Sequence, residues 1–248
     1  MAVSALGLFL LEAGVGTAAL LVFFPHRVLG RGFFTLHGAI AVAALALTLL
    51  TPPPGFSRPL ALATLCSIAL YTLLARVGRQ RRGLPALAIG AASGITLLVR
   101  VGGAIGGPWV AAGALSAALL FGSVLLTMNL GHWYLVSQSL PKSLLFGGAV
   151  AFSGLALLRA GFLAAVAIVR PDAAAWESLT SLDREGLFFL FRVLWGVAGP
   201  LALSYFVFQT AKIRSNKAAT GLLYVALVFV LVGELLAAYL TVATRSPA

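Results

Sequence analysis

Four ionisable side chains sit inside long apolar runs of this chain: Glu12, Arg159, Arg192 and Glu234. A charge at the bilayer centre costs about 2.5–3.5 kcal/mol on insertion scales, so each of the four needs a partner or a task. Two acids and two bases sum to zero. At about 1.5 Å of rise per residue, depth follows from counting. Glu12 lies nine residues, Glu234 eight and Arg159 ten from one membrane face, with Arg192 five residues from the same face. Two chemistries fit this level. One is a buried proton or ligand site in which Glu12 or Glu234 titrates and Arg159, with Arg192 nearby, anchors an anionic or carbonyl ligand. The other is a neutral ion-pair network that fixes helix register. Gly14, Gly16 and Gly233 would let helices approach closely beside both acids.

Histidine supplies a second constellation. His37 lies four residues and His132 five residues from the opposite face, on different spans. Two imidazoles at one depth suit the axial positions of a haem b iron, or hydrogen bonds to a quinone carbonyl. Around the second, the chain reads Met128-Asn-Leu-Gly-His-Trp-Tyr134, which puts Met128 one turn earlier on the face of His132. The competing reading makes Trp133 and Tyr134 interfacial aromatics and each histidine a structural hydrogen-bonding group.

The elements that hold these residues follow from composition. Of 248 residues, 61% are hydrophobic and 9% charged, far from the roughly 25% charge of soluble domains. A water-exposed globule cannot be covered with so little polar surface. Apolar runs of about 20 residues without period-2 alternation select membrane-spanning helices over a barrel. Eight spans are expected, at 3–24, 33–50, 60–77, 84–100, 109–137, 144–169, 187–208 and 221–242. The fold class is therefore all-α, a polytopic integral membrane helix bundle forming a single domain over 1–248. Pro25, the Thr51 to Gly55 stretch, Gly78 to Gly83, Gly102 to Pro108, Pro141 and Pro171 punctuate its connections. The first span lacks a positive leader and carries Glu12, so it is expected to stay in the mature protein.

Lysine and arginine collect in short cytoplasmic loops. With the N-terminus outside, the inner loops hold Arg27, Arg31, Arg76, Arg79, Arg81, Arg82, Lys142, Lys212, Arg214 and Lys217. The outer segments hold only Arg58, Arg100, Arg170, Arg184 and Arg245. Ten against five places both termini on the extracytoplasmic side of a cytoplasmic (inner) membrane. The net charge of +11 then marks orientation and not nucleic-acid binding. The longest outer loop, 170–186, carries Asp172, Glu177, Asp183 and Glu185, a candidate docking surface for a partner protein as well as a solvated connector.

Several chemistries are excluded by what the sequence lacks. Cys66 is the single cysteine, which removes disulfide scaffolds and thiolate clusters. Every lysine is in a loop, so no span offers a Schiff base, and no aspartate lies in a span to hold magnesium. There is no HExxH and no P-loop motif. Ser153 and Ser204 lie in spans, but no spacing ties either to a histidine base.

The last two spans, with Phe191-Arg-Val-Leu-Trp195 and Val232-Gly-Glu-Leu-Leu236, resemble the end of the eight-helix membrane anchors of the NrfD and DMSO-reductase type. The resemblance covers about the final quarter of the chain, and after the Gly-Glu-Leu triplet the chain continues Leu236-Ala-Ala-Tyr239 where those anchors have an arginine. It implies a subunit that holds an extracytoplasmic reductase and exchanges electrons with quinol, generally without haem, with Glu234 as a quinol-proton acceptor. The leading expectation is thus a respiratory-type membrane subunit that binds quinone or haem and docks a redox partner. A proton-coupled transporter, with Glu12 or Glu234 titrating, and a structural or assembly subunit are the alternatives.

Overall fold

The computed structural model describes residues 1–136, 140, 141, 143–169 and 184–247. Among them, eight helices are long and apolar enough to cross a membrane. Six are single helices: α1 (Ala2–Leu21), α2 (Arg31–Leu50), α3 (Arg58–Arg76), α4 (Leu84–Gly106), α5 (Pro108–Val136) and α6 (Ser143–Val169). The seventh span is built from α7 (Arg184–Val193), a π-helical turn at Leu194–Ala198 and α8 (Gly199–Lys212), and the eighth is α9 (Asn216–Thr244). Twenty residues of helix, the length of α1, reach about 30 Å, the thickness of a bilayer core. Eight passes return the chain to the side on which it began. The end of the bundle with both termini is called the terminal end below, and the other the far end.

Consecutive helices pack on one another, and α1 and α5 also pack together and against α4 and α9. These two form the axis. In α5, 83% of the spanning window is buried inside the protein and in α1 72%, against 22% in α6 and 28% in α3. A helix apolar all round belongs in such a position, whereas the outer helices leave Leu73, Ile89, Leu157 and Val228 exposed for lipid. Small residues set the axis spacing. A Cβ on Gly16 would overlap the Ala118 carbonyl, and one on Gly122 would overlap the Gly16 carbonyl, so no larger residue permits this approach.

Two connections differ from expectation. The Gly102 to Pro108 stretch, expected as a loop, stays helical through Gly106, and Gly107 alone breaks the chain at φ +83°. The reason is packing: Gly102 faces the backbone of Ala111 where a Cβ would lie 2.5 Å away, so these glycines let α4 continue beside the start of α5. Span seven was expected as one regular helix. Pro200 has no N–H to give to the Gly196 carbonyl and would clash with it in an α-helix, and the chain widens instead, with the Gly199 N–H donating to Leu194 O. The acidic segment with Asp172, Glu177 and Asp183, and Lys142, lie outside the described residues.

Candidate functional site

The four charged residues of the spans, three of them counted to one level, converge in the terminal half of the bundle. Glu234 is buried on α9 and receives a two-pronged contact from Arg159 of α6: Nε donates to Oε1 at 3.2 Å and Nη2 to Oε2 at 2.8 Å. A fork-to-fork arrangement is the strongest geometry for a guanidinium and a carboxylate. The remaining Arg159 nitrogen, Nη1, donates to the Gly113 carbonyl at 3.1 Å and to Ser116 Oγ at 3.0 Å, both on α5. Arg192 of α7 approaches the same carboxylate, Nη2 to Oε1 at 3.9 Å. One carboxylate therefore lies between two guanidinium groups, and all three side chains are at most 2% exposed.

The π turn shapes this contact. Gly196 in the turn meets Gly233 of α9 so closely that a Cβ on either would overlap the other's backbone. Gly233 precedes Glu234, and Arg192 sits one turn before Gly196, so the glycine crossing brings guanidinium and carboxylate together. π turns concentrate at functional positions. Gly196, Gly199 and Pro200 were the available signal in the sequence, and Ser116 gave none.

Glu12 of α1 joins the cluster differently. It is buried, lies in the electrostatic field of Glu234, Arg159 and Arg192, and its Oε2 has no hydrogen-bond partner. It borders a void of about 10 Å³ together with Val110, Gly113, Arg159, Thr241 and Pro247. That is the size of one water molecule. Arg159, Arg192 and Glu234 alone carry one net positive charge, so protonation of Glu12 decides whether the cluster is neutral or +1.

The two histidines of the spans have different surroundings. His37 is fully buried, with Nδ1–H donating to the Phe33 carbonyl at 2.7 Å and Nε2 accepting from Asn129 Nδ2 of α5 at 3.0 Å. Both ring nitrogens are thus engaged. His132 is exposed on the other side of the contact and bonds Tyr224 of α9 through Nδ1 at 3.0 Å. Met128, one turn before His132 on the same face of α5, is buried in the core while His132 is exposed. His37 is thus enclosed between α2 and α5, and His132 lies at the exposed surface against α9. Among the described residues no group of three or more His, Cys, Asp or Glu side chains forms a metal site. Asn129, within the sequence Met128 to Tyr134, was the overlooked partner.

Tyr134, expected at the interface, is buried, its hydroxyl donating to the Pro141 carbonyl. His26 in the α1–α2 connection stacks on Phe34 at 4.1 Å, bonds the Phe24 carbonyl through Nδ1 at 2.7 Å and meets the Tyr71 hydroxyl through Nε2 at 2.9 Å. Its burial holds the imidazole pKa below the usual histidine value, partly offset by the Phe24 bond.

A lateral pocket of about 350 Å³ opens in the far half, between the end of α1, the middle of α5 and the start of α6. Leu20, Phe23, Leu130 and Gly147 give it apolar walls, and Ser123, Thr127 and Ser143 place hydroxyls on its lining. This is the volume range of small-molecule sites, which combine apolar walls with a few polar groups. No family model, curated protein or solved structure matches the chain.

Proposed function

We propose that this chain is a quinone-binding membrane subunit of a respiratory-type electron-transfer complex, docking a redox partner protein. The carrying observation is the lateral pocket: about 350 Å³, largely apolar and walled by helices that reach the membrane-facing surface. A lipid-soluble ring enters such a pocket from the bilayer; Ser143 offers its oxygens a hydroxyl, while Ser123 and Thr127, whose hydroxyls donate to the Leu120 and Gly148 carbonyls, can accept from a quinol O–H. The charged cluster, by contrast, has room for about one water and none for a solute. His37 with both nitrogens engaged favours quinone over haem. The basic residues of the far-end loops orient this subunit with both termini outside the cytoplasmic membrane, and the segment 170–186 offers the partner its acidic surface.

Oxidation of a quinol to a quinone releases two electrons and two protons. The electrons go to the docked partner, and the protons need groups at membrane depth. Glu234 has both carboxyl oxygens engaged by Arg159, with a second approach from Arg192. Glu12 has the uncommitted oxygen. It lies eight residues before Leu20 on α1, about 12 Å along the axis, so it holds a proton beyond the ring and does not touch it.

The test fills the pocket. Nothing lies within 4 Å of the position of a Gly147 Cβ, so Gly147→Phe is accommodated by the pocket itself. Solvent extraction of purified protein is expected to release quinone, and Gly147→Phe to release little. Equal quinone in both, or none in either together with no binding of a short-chain quinone analogue, sinks the proposal. A proton-coupled transporter is the second reading, favoured by the unpartnered Glu12 oxygen. It requires substrate-dependent proton flux in vesicles that Glu12→Gln abolishes.

A further inference from the structure

The α3–α4 connection places Arg76, Arg79, Arg81 and Arg82 within seven residues at the far end. Its backbone is built and not loose. The Arg79 N–H donates to Leu74 O at 2.7 Å and the Gly78 N–H to Ala75 O at 3.0 Å, the paired bonds of a Schellman motif, with Gly78 at φ +77°. The Arg82 and Gly83 N–H groups then both donate to Arg79 O, at 2.9 and 3.2 Å. This turn borders an open recess of about 670 Å³ lined by Gly78, Arg79, Gln80, Arg81, Arg82 and Leu84. The four arginine side chains are exposed.

Their counter-charge is not in the chain. There is no Asp or Glu between Glu12 and Asp172. Of the six acids, Glu12 and Glu234 are buried in the core, Asp172, Glu177 and Asp183 belong to the α6–α7 connection, whose flanking helix ends lie at the terminal end, and Glu185 is in the first turn of α7 at that same end. Four guanidinium groups on one turn must therefore take their anions from outside. Directly before the turn, Leu70, Leu73 and Val77 are exposed along one face of α3, and Ile89 is exposed on α4 just after it. An apolar stripe that ends in a cationic recess matches a molecule with acyl chains and an anionic head.

We propose that this recess binds the phosphate headgroup of an anionic phospholipid, whose acyl chains lie along Leu70, Leu73 and Val77. Guanidinium groups bind phosphate oxygens in forks, which makes arginine suited to the task, and basic residues at a membrane surface draw anionic lipid additively. The site is independent of the quinone pocket and of any partner protein.

Full-length protein in detergent, titrated separately with phosphatidylglycerol, phosphatidylcholine and inorganic phosphate under native mass spectrometry, tests it. Phosphatidylglycerol is expected to be retained well above phosphatidylcholine, and millimolar phosphate not to displace it. The triple variant R79Q/R81Q/R82Q is expected to bind phosphatidylglycerol roughly 100-fold more weakly. Single Arg79→Gln and Arg81→Gln variants, each expected to lose several-fold, serve if the triple variant does not fold, while Arg58→Gln at the terminal end leaves retention unchanged. Equal retention of the two lipids, wild-type binding by the arginine variants, or displacement of lipid by free phosphate overturns the proposal.

Discussion

The terminal and far halves of the bundle both bury polar side chains in a setting that penalises them, and they resolve the penalty differently. In the terminal half, Arg159, Arg192 and Glu234 share charge, with nearly every polar atom of Arg159 and Glu234 committed. In the far half, His37 and His26 are neutral rings whose two nitrogens each find a neutral partner. Saturated bonding, ionic or neutral, leaves little capacity for chemistry. Among the described residues of the polar core, Glu12 Oε2 is an exception, and the comparison teaches that reactivity is to be sought where bonding is incomplete rather than where charge is most concentrated.

The contrast is broken most severely at its ionic side. Glu234→Ala leaves two buried guanidinium groups without their shared anion, and a loss of about 3–5 kcal/mol is expected, read as failure to purify or a large fall in Tm. Joint replacement by Arg159→Met and Glu234→Leu is expected to recover part of that loss; no recovery would mean that the pair is not a coupled unit.

On the neutral side, His37→Leu removes the acceptor of Asn129 and leaves that amide unsatisfied at about 1–3 kcal/mol. Thermal unfolding of His37→Leu and of the double variant with Asn129→Leu measures it, and the second change is expected to cost less in the absence of the imidazole than in its presence. Equal costs would show that the bond is not formed.

His26 adds a pH dependence of known sign. Its folded pKa lies below the unfolded value of about 6.5, so the folded state prefers the neutral ring. The stability it contributes is fully present above pH 6.5 and is lost as the pH falls from there through the lowered folded value. Tm measured from pH 8 to 4 is expected to fall more steeply in the wild type than in His26→Gln. Parallel curves would remove His26 as the source.

Glu12→Gln is expected to change stability least, by under about 1 kcal/mol, since an amide replaces a group with an unbonded oxygen. Infrared difference spectra should lose a protonated-carboxyl band in this variant alone. A loss of stability as large as that of Glu234→Ala would erase the distinction between a structural and an exchangeable acid.

Much of this was legible along the chain. Depth is a one-dimensional quantity, and counting residues from span ends placed Glu12, Glu234 and Arg159 at one level, where the fold assembles them. The same counting placed His37 and His132 at similar depth but could not tell that one faces α5 and the other the surface. Burial depends on which neighbour a face meets at each level, and Met128 and His132, one turn apart on one face of α5, end in core and surface respectively. The glycines of α4 read as a loop because glycine marks turns in water-soluble chains, whereas in lipid it also marks close helix contact.

By itself the sequence determined that the chain lives in a membrane, how many apolar helices it makes and which charges must be buried, because hydrophobic length and the cost of a buried charge are properties of local composition. The tertiary structure decided which carboxylate is locked between arginines and which keeps an open oxygen, that both His37 nitrogens are occupied, and that a pocket lies between α1, α5 and α6. Those outcomes depend on helix rotation and on contacts such as Gly196 with Gly233, which pair residues far apart in the chain and therefore leave no local trace in it.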